Sequence, residues 1–351
     1  MKSSRYGKIN RSMNTTNHQV ISGPPRLLQS IVAGFDSITN HITLLLFPIG
    51  LDLLIWFAPR VRIKALVDTL ISATVSRSLQ VTNDPETVEL LNSAQELWTL
   101  ITERFNLLIM LRTYPVGVPS LMSGVLPLEV PVGEVMFWEV SSFSGVIGII
   151  LVLTLIGVGL GTLYFSTVSQ AAISNGIDWR TVLKQWPWLS GQVLLLAISW
   201  VVLLVGISIP ASFAITFSAM VSAGLGQCVV FLFSVFLVWM LFPLLFTPHG
   251  IFVHHLSVWL SIKRSLHLTR MTLPMTSLFF LSIFLLSQAL DMLWRAPAEN
   301  SWLMLIGVAG HAFVTTGLLA ASFIYYFEAD QWLLNAQRQQ SQEESPPEML
   351  A

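Results

Sequence analysis

The stretch "HGIFVHHLSVWLSIKRSLHLTR" has the most evident chemistry in this sequence. His249, His254, His255 and His267 lie within residues 249–270, which contain no acid. Imidazole is the commonest metal ligand, and basic groups bind the phosphates of nucleic acids and of lipid headgroups. The stretch is therefore a candidate metal site, nucleic-acid patch or membrane-surface helix.

The spacing of these histidines argues against a metal site. His254 and His255 are adjacent, so on a helix their side chains point about 100° apart, and no histidine pair here has i, i+4 spacing. No Asp or Glu occurs between Asp178 and Asp291 to complete a ligand set. Three basic residues, in a chain of net charge −1, are too few for a nucleic-acid partner. We expect no metal, no cofactor and no nucleic acid.

Residues 251–268 instead predict an amphipathic helix at the inner membrane interface. At 100° per residue, one narrow polar face carries His254, Ser257, Ser261, Arg264 and Ser265. The other face is apolar and carries Phe252, Leu256, Trp259, Leu260, Ile262 and Leu266. Such a helix lies in the plane of the membrane surface. There we expect Lys263, Arg264 and Arg270 to contact anionic lipid headgroups.

Two ionisable residues inside apolar runs form the candidate intramembrane polar site. Asp52 lies in "FPIGLDLLIWFAPR", and His311 lies deep in the last apolar run. An acid at membrane depth is a functional candidate because its charge is costly in lipid. The favoured alternative is that Asp52 lies at the outer end of its span, where it reaches Arg60, Arg62 or water. His311 is interpreted as a packing histidine or a proton carrier, and it could relieve the burial of Asp52 by pairing with it.

Composition indicates the kind of protein that must position these residues. The chain of 351 residues is 54% hydrophobic and 11% charged, with a mean hydropathy of +0.70, whereas soluble domains carry about 25% charged residues. No Asp, Glu, Lys or Arg occurs between Lys184 and Lys263, a stretch that two membrane-spanning helices accommodate. We predict an all-α fold, a polytopic bundle of about six transmembrane helices. The single Cys228 excludes an internal disulfide and a cysteine-based zinc site.

Six apolar runs are long enough to cross a membrane. The predicted spans are residues 38–58, 142–168, 188–209, 226–246, 272–294 and 302–327. Of the 18 Lys and Arg, eleven fall in segments on the N-terminal side of the membrane and seven on the other side. This bias predicts a multi-pass protein of the bacterial plasma membrane with both termini in the cytoplasm.

The segments outside the spans have distinct characters. The chain divides into a cytoplasmic N-terminal segment, a first span, an extracytoplasmic loop, a five-span membrane bundle and a disordered cytoplasmic tail, at residues 1–37, 38–58, 59–141, 142–327 and 328–351. The outer loop predicts a helical hairpin, whose second helix has Asp84 as a cap and Pro85 in its first turn. The proline-rich stretch 114–133 cannot continue a helix, so we expect an extended segment that covers the outer face.

Gly157 and Gly161 form a G-x-x-x-G pattern in the second span. Because these glycines lie mid-span, the pattern predicts helix packing rather than phosphate binding. The sequence contains no H-E-x-x-H, no G-x-S-x-G and no Walker A pattern. No catalytic residue is therefore assigned.

The segment "VWLSIKRSLHLTRMTLPMTSLFFLSIF" (258–284) resembles a segment of YciC-like bacterial inner-membrane proteins and of the membrane domain found beside some glycerophosphodiester phosphodiesterases. Their pattern, A-L-x-x-S-W-x-L-x-x-x-N, describes a cytoplasmic amphipathic helix that leads into a span. The residues that match in kind are Ile262, Lys263, Arg264, Ser265, Leu266 and Leu268. Ser261 replaces the small residue, His267 replaces the aromatic one, and the asparagine is absent near Thr272. The resemblance implies a polytopic membrane protein, and it carries over no catalytic residue because no phosphodiesterase domain is present.

Two classes of function remain in view. The first is a non-enzymatic scaffold, partner or lipid-interacting component of the bacterial plasma membrane, with membrane lipids and possible membrane proteins as partners. The alternative is a secondary transporter or permease component that uses Asp52 and His311. An enzyme is disfavoured because no motif supports it. A cavity joining Asp52 and His311 would favour transport, whereas a packed bundle with an apolar groove on one flank would favour lipid binding.

Overall fold

The computed structural model describes residues 25–80, 85–133 and 135–343, and the fold is all-α. In chain order the helices are α1 (Leu27–Asn40), α2 (Leu46–Phe57), α3 (Lys64–Leu79), α4 (Pro85–Arg104), α5 (Met122–Val125), α6 (Phe143–Ser174), α7 (Trp179–Val221), α8 (Ala223–Leu241), α9 (Thr247–His254), α10 (Val258–Met271), α11 (Leu273–Trp294) and α12 (Met304–Glu343). Short 3₁₀ helices lie at Ile42–Leu45, Leu107–Leu111 and Phe242–Leu244. The strands β1 (Arg60–Arg62) and β2 (Phe137–Glu139) pair in parallel.

The described chain contains five helical stretches that are long and apolar enough to cross a membrane. They are α6, α7, α8 with α9, α11 and α12. The pair α1 and α2 also qualifies, but the two helices meet at a bend of 91°. Counting that pair as one span gives six, the number predicted. The protein is a multi-pass helical membrane protein.

Helix α12 is the centre of the bundle. Within its most apolar window 61% of the residues are buried, against 28% or less in the other four candidate spans. Helix α1 crosses it closely, because a Cβ on Gly34 would lie 2.5 Å from the backbone nitrogen of Ala321. Likewise, a Cβ on Gly317 would lie 2.6 Å from the ring of Phe35. Small residues let membrane helices approach closely, so these glycines fix where α1 and α12 cross.

The first apolar run is bent, whereas one helix was predicted over residues 38–58. Helix α1 begins at Leu27, and the chain turns at His41, which has a non-helical backbone (φ −130°, ψ 50°). The Nδ1 atom of His41 lies 3.0 Å from a carbonyl oxygen one turn back, and this contact supports the end of α1. Most of α1 therefore lies within the predicted N-terminal segment 1–37, of which residues 1–24 lie outside the described part.

Helices α7 and α12 are longer than predicted. Helix α7 continues through Pro187 and Pro210 and ends at Val221, whereas the predicted span covered residues 188–209. Proline is tolerated inside membrane helices because neighbouring groups satisfy the carbonyl that it frees. Helix α12 continues to Glu343, so much of the predicted disordered tail 328–351 is helical. The first turns of that tail are still buried against the bundle, and its last residues lie outside the described part.

The loop between α2 and α6 contains the helical hairpin that the pattern predicted. Helices α3 and α4 pack against each other, and Pro85 is the first residue of α4. The proposed cap, Asp84, lies outside the described residues.

Residues 107–122, which we call the re-entrant segment, are largely buried in the bundle. The stretch 114–133 was predicted to be extended over the outer face, but its residues 114–122 belong to this segment and Met122–Val125 form the short helix α5. The buried apolar side chains of the re-entrant segment are Leu107, Leu111, Val116, Val118, Leu121 and Met122. A Cβ on Gly157 would lie 2.5 Å from the carbonyl oxygen of Leu111, and one on Gly161 would lie 2.8 Å from the Cα of Gly117. Gly157 is about 21 Å along α6 from its first residue, at 1.5 Å per residue. The closest neighbours of both glycines therefore belong to the re-entrant segment, halfway along α6, and not to another membrane-spanning helix, which the pattern predicted.

Candidate functional site

Asp52 is fully buried in the second half of α2. Its carboxylate accepts a hydrogen bond from Ser120 Oγ at 2.5 Å. It also accepts from the backbone N–H groups of Leu121 at 3.1 Å and Met122 at 2.9 Å. The expectation that Asp52 would reach an arginine or water at the end of its span is wrong, because the re-entrant segment supplies its partners.

These hydrogen bonds satisfy backbone donors of the re-entrant segment that would otherwise have no acceptor. The backbone N–H groups of Leu121 and Met122 begin the short helix α5 and have no acceptor within it, and each unsatisfied group at membrane depth costs several kcal/mol. Asp52 accepts from both of them, and Arg112 Nη1 donates to Ser120 O at 3.2 Å and to Ser123 Oγ at 2.8 Å. Ser120 Oγ also accepts from the backbone N–H of Ser123 at 3.0 Å. We call Asp52, Arg112, Ser120 and Ser123 the Asp52 cluster.

His311 is buried in α12, and its partner is Asp291 rather than Asp52. The Nδ1 atom of His311 lies 2.7 Å from Asp291 Oδ1, and Asp291 Oδ2 lies 3.7 Å from Arg295 Nη2. The predicted direct pair of Asp52 and His311 is thus not formed. His311 Nε2 has no hydrogen-bond partner within the described parts of the chain. We call His311, Asp291 and Arg295 the His311 cluster.

The two clusters lie at the same end of the bundle. The guanidinium of Arg295 lies against Gly124, where a Cβ would be 2.9 Å from Nη2, and Gly124 follows the turn that Asp52 holds. Trp56, one turn beyond Asp52, donates from Nε1 to the carbonyl oxygen of Glu299 in the α11–α12 connection at 3.1 Å. We call this end of the bundle the β end, because β1 follows α2 there and β2 precedes α6.

The chemistry available to these clusters is proton binding and hydrogen bonding. Carboxylate and imidazole groups both exchange protons. In residues 25–80, 85–133 and 135–343, no group of three or more His, Cys, Asp or Glu side chains could hold a metal ion. One cavity lies between α3 and α4 and another on the flank of the bundle, and neither is lined by Asp52 or His311.

The flank cavity has a volume of about 330 Å³ and an apolar lining. It lies among α6, α7, α9, α11 and α12, with the re-entrant segment on one side. Its apolar lining includes Pro115, Phe165, Trp200, Phe280, Ile283 and Leu319. One polar contact lies in its wall, between His249 Nε2 and Ser322 Oγ at 2.8 Å. Several lining residues are partly exposed, so the cavity opens to the flank. In the sequence His249 was only a metal-ligand candidate, and no pattern of residues indicated this cavity.

The predicted helix over residues 251–268 is broken in two. Helix α9 ends at His254, and His255 adopts a left-handed conformation (φ 50°) before α10 begins at Val258. The backbone N–H groups of His255 and Leu256 both donate to the carbonyl oxygen of Gly250, the latter at 3.3 Å, and these bonds close the end of α9.

Helix α10 directs its polar face to the protein, the reverse of the prediction. Ser261 Oγ donates to the carbonyl oxygen of Thr247 at 2.5 Å, and Ser265 Oγ donates to that of Pro243 at 2.7 Å. Both serines are buried, whereas Trp259 on the apolar face is exposed. The orientation is reasonable in a membrane, where apolar side chains can face lipid and polar side chains need partners inside the protein.

Arg264, one of the three expected headgroup contacts, binds the protein instead. It donates from Nε and Nη2 to the two carboxylate oxygens of Asp330, at 2.7 and 2.6 Å. His254 Nε2 lies 3.1 Å from the same carboxylate. Asp330 was not predicted as a site residue, because it falls in the tail predicted to be disordered. Lys263 and Arg270 are exposed, and for them the headgroup contact stays a prediction.

The fold and the two buried clusters define a multi-pass helical membrane protein with hydrogen-bonded polar groups inside its helical bundle. Comparisons with protein-family models, with curated proteins and with solved structures found no match to this chain. The resemblance of residues 258–284 to YciC-like proteins stays a prediction, and function must be argued from the geometry.

Proposed function

We propose that this protein is a non-enzymatic, lipid-interacting component of a membrane, and that its flank cavity holds a hydrocarbon chain of a membrane lipid. The observation that carries the proposal is the apolar cavity of about 330 Å³ that opens among the helices. Small-molecule sites commonly measure about 300–1,000 Å³ and have mostly apolar walls with few polar groups. Lipid chains are the apolar molecules at highest concentration around such an opening.

The wall of the cavity suits a chain rather than a charged solute. Its ring and branched aliphatic side chains offer dispersion contacts and no fixed charge. The His249–Ser322 contact gives one polar point at which an ester or hydroxyl group of the lipid can lie. A transported ion or sugar would require more polar partners than this wall provides.

The proposal is tested by filling the cavity. Ser287 in α11 lines it, and Ser287→Phe should occupy space that the lipid chain uses. Ala289→Phe is the matched control, because Ala289 is an exposed residue of the same helix. After purification in mild detergent, native mass spectrometry should show a retained lipid on the wild type and on Ala289→Phe. Ser287→Phe should have lost it, and equal retention by all three proteins would contradict the proposal.

We also propose that the protein lies in the bacterial plasma membrane with both termini in the cytoplasm, which puts the β end outside. The support is the unequal distribution of Lys and Arg between the two sides. Alkaline phosphatase should be active when fused after Glu96 and inactive when fused after Arg270. The reverse activities would invert the orientation.

A second candidate function, a secondary transporter or permease component, is favoured by one specific observation. Helix α2, which follows a 91° bend, meets the re-entrant segment at the buried carboxylate of Asp52, and transporters commonly bind substrate where membrane helices are interrupted. Proton-driven uptake into proteoliposomes that Asp52→Asn abolishes, while the protein stays folded, would put transport ahead of lipid binding.

Membrane lipids are the partners that we propose. Large parts of α7 and α8 expose apolar side chains, and lipid satisfies such a surface without a specific contact. The sequence leaves a membrane-protein partner open, and such a partner would appear as a stoichiometric second protein in the same mass spectra.

A further inference from the structure

We propose that the β end binds the phosphate group of an anionic phospholipid through the guanidinium groups of Arg60 and Arg62. This site goes beyond the proposed function, because it shares no residue with the flank cavity and recognises a headgroup rather than a chain.

The first observation is the buried guanidinium of Arg60, whose terminal nitrogens have no acceptor in the described part of the chain. Its Cζ lies 5.9 Å from the centre of the Phe137 ring, a contact that supplies no acceptor oxygen. Arg60 is 2% exposed, and neither Nη1 nor Nη2 has a hydrogen-bond partner in the described part of the chain. Arg62 Nε, two residues on, is also buried and unpartnered there. The backbone of β1 is held in place, since Arg60 N–H donates to Met136 O at 2.9 Å and Arg62 O accepts from Val140 N–H at 2.8 Å. Buried donors in folded proteins almost always have an acceptor, so these nitrogens indicate a missing one.

The nearby acid Glu299 does not supply that acceptor to Arg60. Glu299 and Arg104 are within electrostatic range of it, but the Glu299 carboxylate accepts from the backbone N–H of Leu128 at 2.7 Å and lies 3.8 Å from Arg104 Nη1. Burial, together with the charge of Arg62, lowers the pKa of the Arg60 guanidinium. The cation is thus held in an environment that penalises its charge.

The acids near Arg62 do not supply an acceptor to its guanidinium either. Glu103 and Glu139 are within electrostatic range of it, but among the described residues neither forms an ion pair with Arg62 within 4 Å. The Glu139 carboxylate accepts from the backbone N–H of Ala65 at 2.8 Å. Burial lowers the pKa of Arg62 as well. A phosphate has several acceptor oxygens in the geometry that guanidinium groups match.

The second observation is an aromatic surface beside these arginines. Strand β2 and the residue before it expose Met136 (75%), Phe137 (53%) and Trp138 (64%). The guanidinium of Arg62 lies 3.5 Å from the centre of the Phe137 ring. Aromatic side chains concentrate at the depth of lipid headgroups.

The position of Arg60 along the chain also indicates that it lies at the depth of lipid headgroups. Arg60 comes three residues after the end of α2, and the exposed Phe143 begins α6. The phosphates of membrane lipids lie where membrane helices end. We therefore commit to a lipid, rather than a dissolved anion, as the source of the phosphate.

The test compares two lipids that differ only in the headgroup. Full-length protein in detergent is titrated with dioleoyl phosphatidylglycerol or with dioleoylglycerol, which lacks the phosphate, and the midpoint of thermal unfolding (Tm) is measured. A ligand that binds the folded state raises Tm. We expect phosphatidylglycerol to raise Tm by several degrees more than dioleoylglycerol. An equal rise with both lipids would overturn the proposal.

The key variant is Arg60→Met, which approximates the apolar part of the side chain and removes the charge. Because Arg60 Nη1 and Nη2 lack hydrogen-bond partners in the described chain, lipid-free Arg60→Met should be at least as stable as the wild type, and the difference between the two lipids should vanish. Arg77→Gln changes the same charge on an exposed residue of α3 and should preserve the difference. If Arg60→Met is much less stable without lipid, Arg60 has protein partners and the proposal is wrong.

Two further titrations distinguish the lipid phosphate from a dissolved anion and from the flank cavity. Inorganic phosphate at millimolar concentration should raise Tm far less than phosphatidylglycerol does. If it raises Tm equally, and Arg60→Met removes that rise, the ligand is a dissolved anion and the lipid site is contradicted. The cavity variant Ser287→Phe should keep the difference between phosphatidylglycerol and dioleoylglycerol. If it removes that difference, the headgroup effect arises from the cavity and not from Arg60.

Discussion

Asp52→Ala gives the sharpest test of what the buried carboxylate does. The substitution leaves three donors without an acceptor, the Ser120 hydroxyl and the backbone N–H groups of Leu121 and Met122. A buried donor left unsatisfied costs about 1–3 kcal/mol. The hydroxyl can rotate to another acceptor, so the two backbone groups set the scale. We expect the free energy of unfolding to fall by about 2–6 kcal/mol.

The assay is reversible unfolding in mixed micelles, with two comparison variants. Asp52→Asn keeps one acceptor oxygen but turns an NH₂ group toward the donors, so it should lose about 1–3 kcal/mol. Asp36→Ala removes an exposed acid of α1 and should change stability by less than about 0.5 kcal/mol. If Asp52→Ala proves as mild as Asp36→Ala, the carboxylate does not hold the re-entrant segment and the argument from backbone satisfaction fails.

Three other predictions follow from the packing. His311→Ala and Asp291→Asn should each destabilise the protein, and the double variant should be less harmful than the sum, because the two side chains form one contact; additive losses in a double-mutant cycle would argue against the pair. Gly161→Ala should lower Tm strongly, since its Cβ would lie 2.8 Å from the re-entrant backbone, whereas Gly148→Ala, with nothing of the described chain within 4 Å, should leave Tm equal or higher; similar Tm values would refute the close approach. Arg264→Gln should cost about 2–4 kcal/mol in chemical unfolding, because it leaves a buried carboxylate without its bidentate partner; a loss below about 1 kcal/mol would show that the pair is solvated.

The sequence predicted the helices well because composition alone decides most of them. A chain with no charge between Lys184 and Lys263 can only be accommodated in lipid. The start of α4 was also predictable, from Pro85 and the acids after it. Helix ends were less predictable. Pro210 ends helices in water, but here α7 continues past it.

The candidate site was only half predictable. Asp52 and His311 were found because a polar side chain is conspicuous in an apolar run, but their partners were assigned wrongly. The acceptor role of Asp52 depends on the re-entrant segment, whose prolines and glycines predict only that it is not helical. The pairing of His311 with Asp291 had a usable signal, since both lie a few residues from the short α11–α12 connection.

The orientation of α10 shows a limit of amphipathic patterns. Periodicity correctly separated Ser261 and Ser265 from Trp259, and so defined two faces. It could not tell which face is turned to the protein, because in a membrane the surroundings of the helix can be more apolar than the core. The two serines donate to backbone carbonyl oxygens, and Arg264 donates to Asp330. These contacts depend on residues distant in sequence.

Photo-crosslinking is the most direct test of the central claim that the flank cavity holds a lipid chain. Cells are supplied with a phospholipid that carries a diazirine on one acyl chain, the protein is purified, and the labelled residues are located by peptide mass spectrometry. We predict labelling concentrated on residues that line the cavity, such as Ile283 and Leu319, and a sharp loss of that labelling in Ser287→Phe but not in Ala289→Phe. Labelling spread over the exposed surfaces of α7 and α8 and unaffected by Ser287→Phe would contradict the claim.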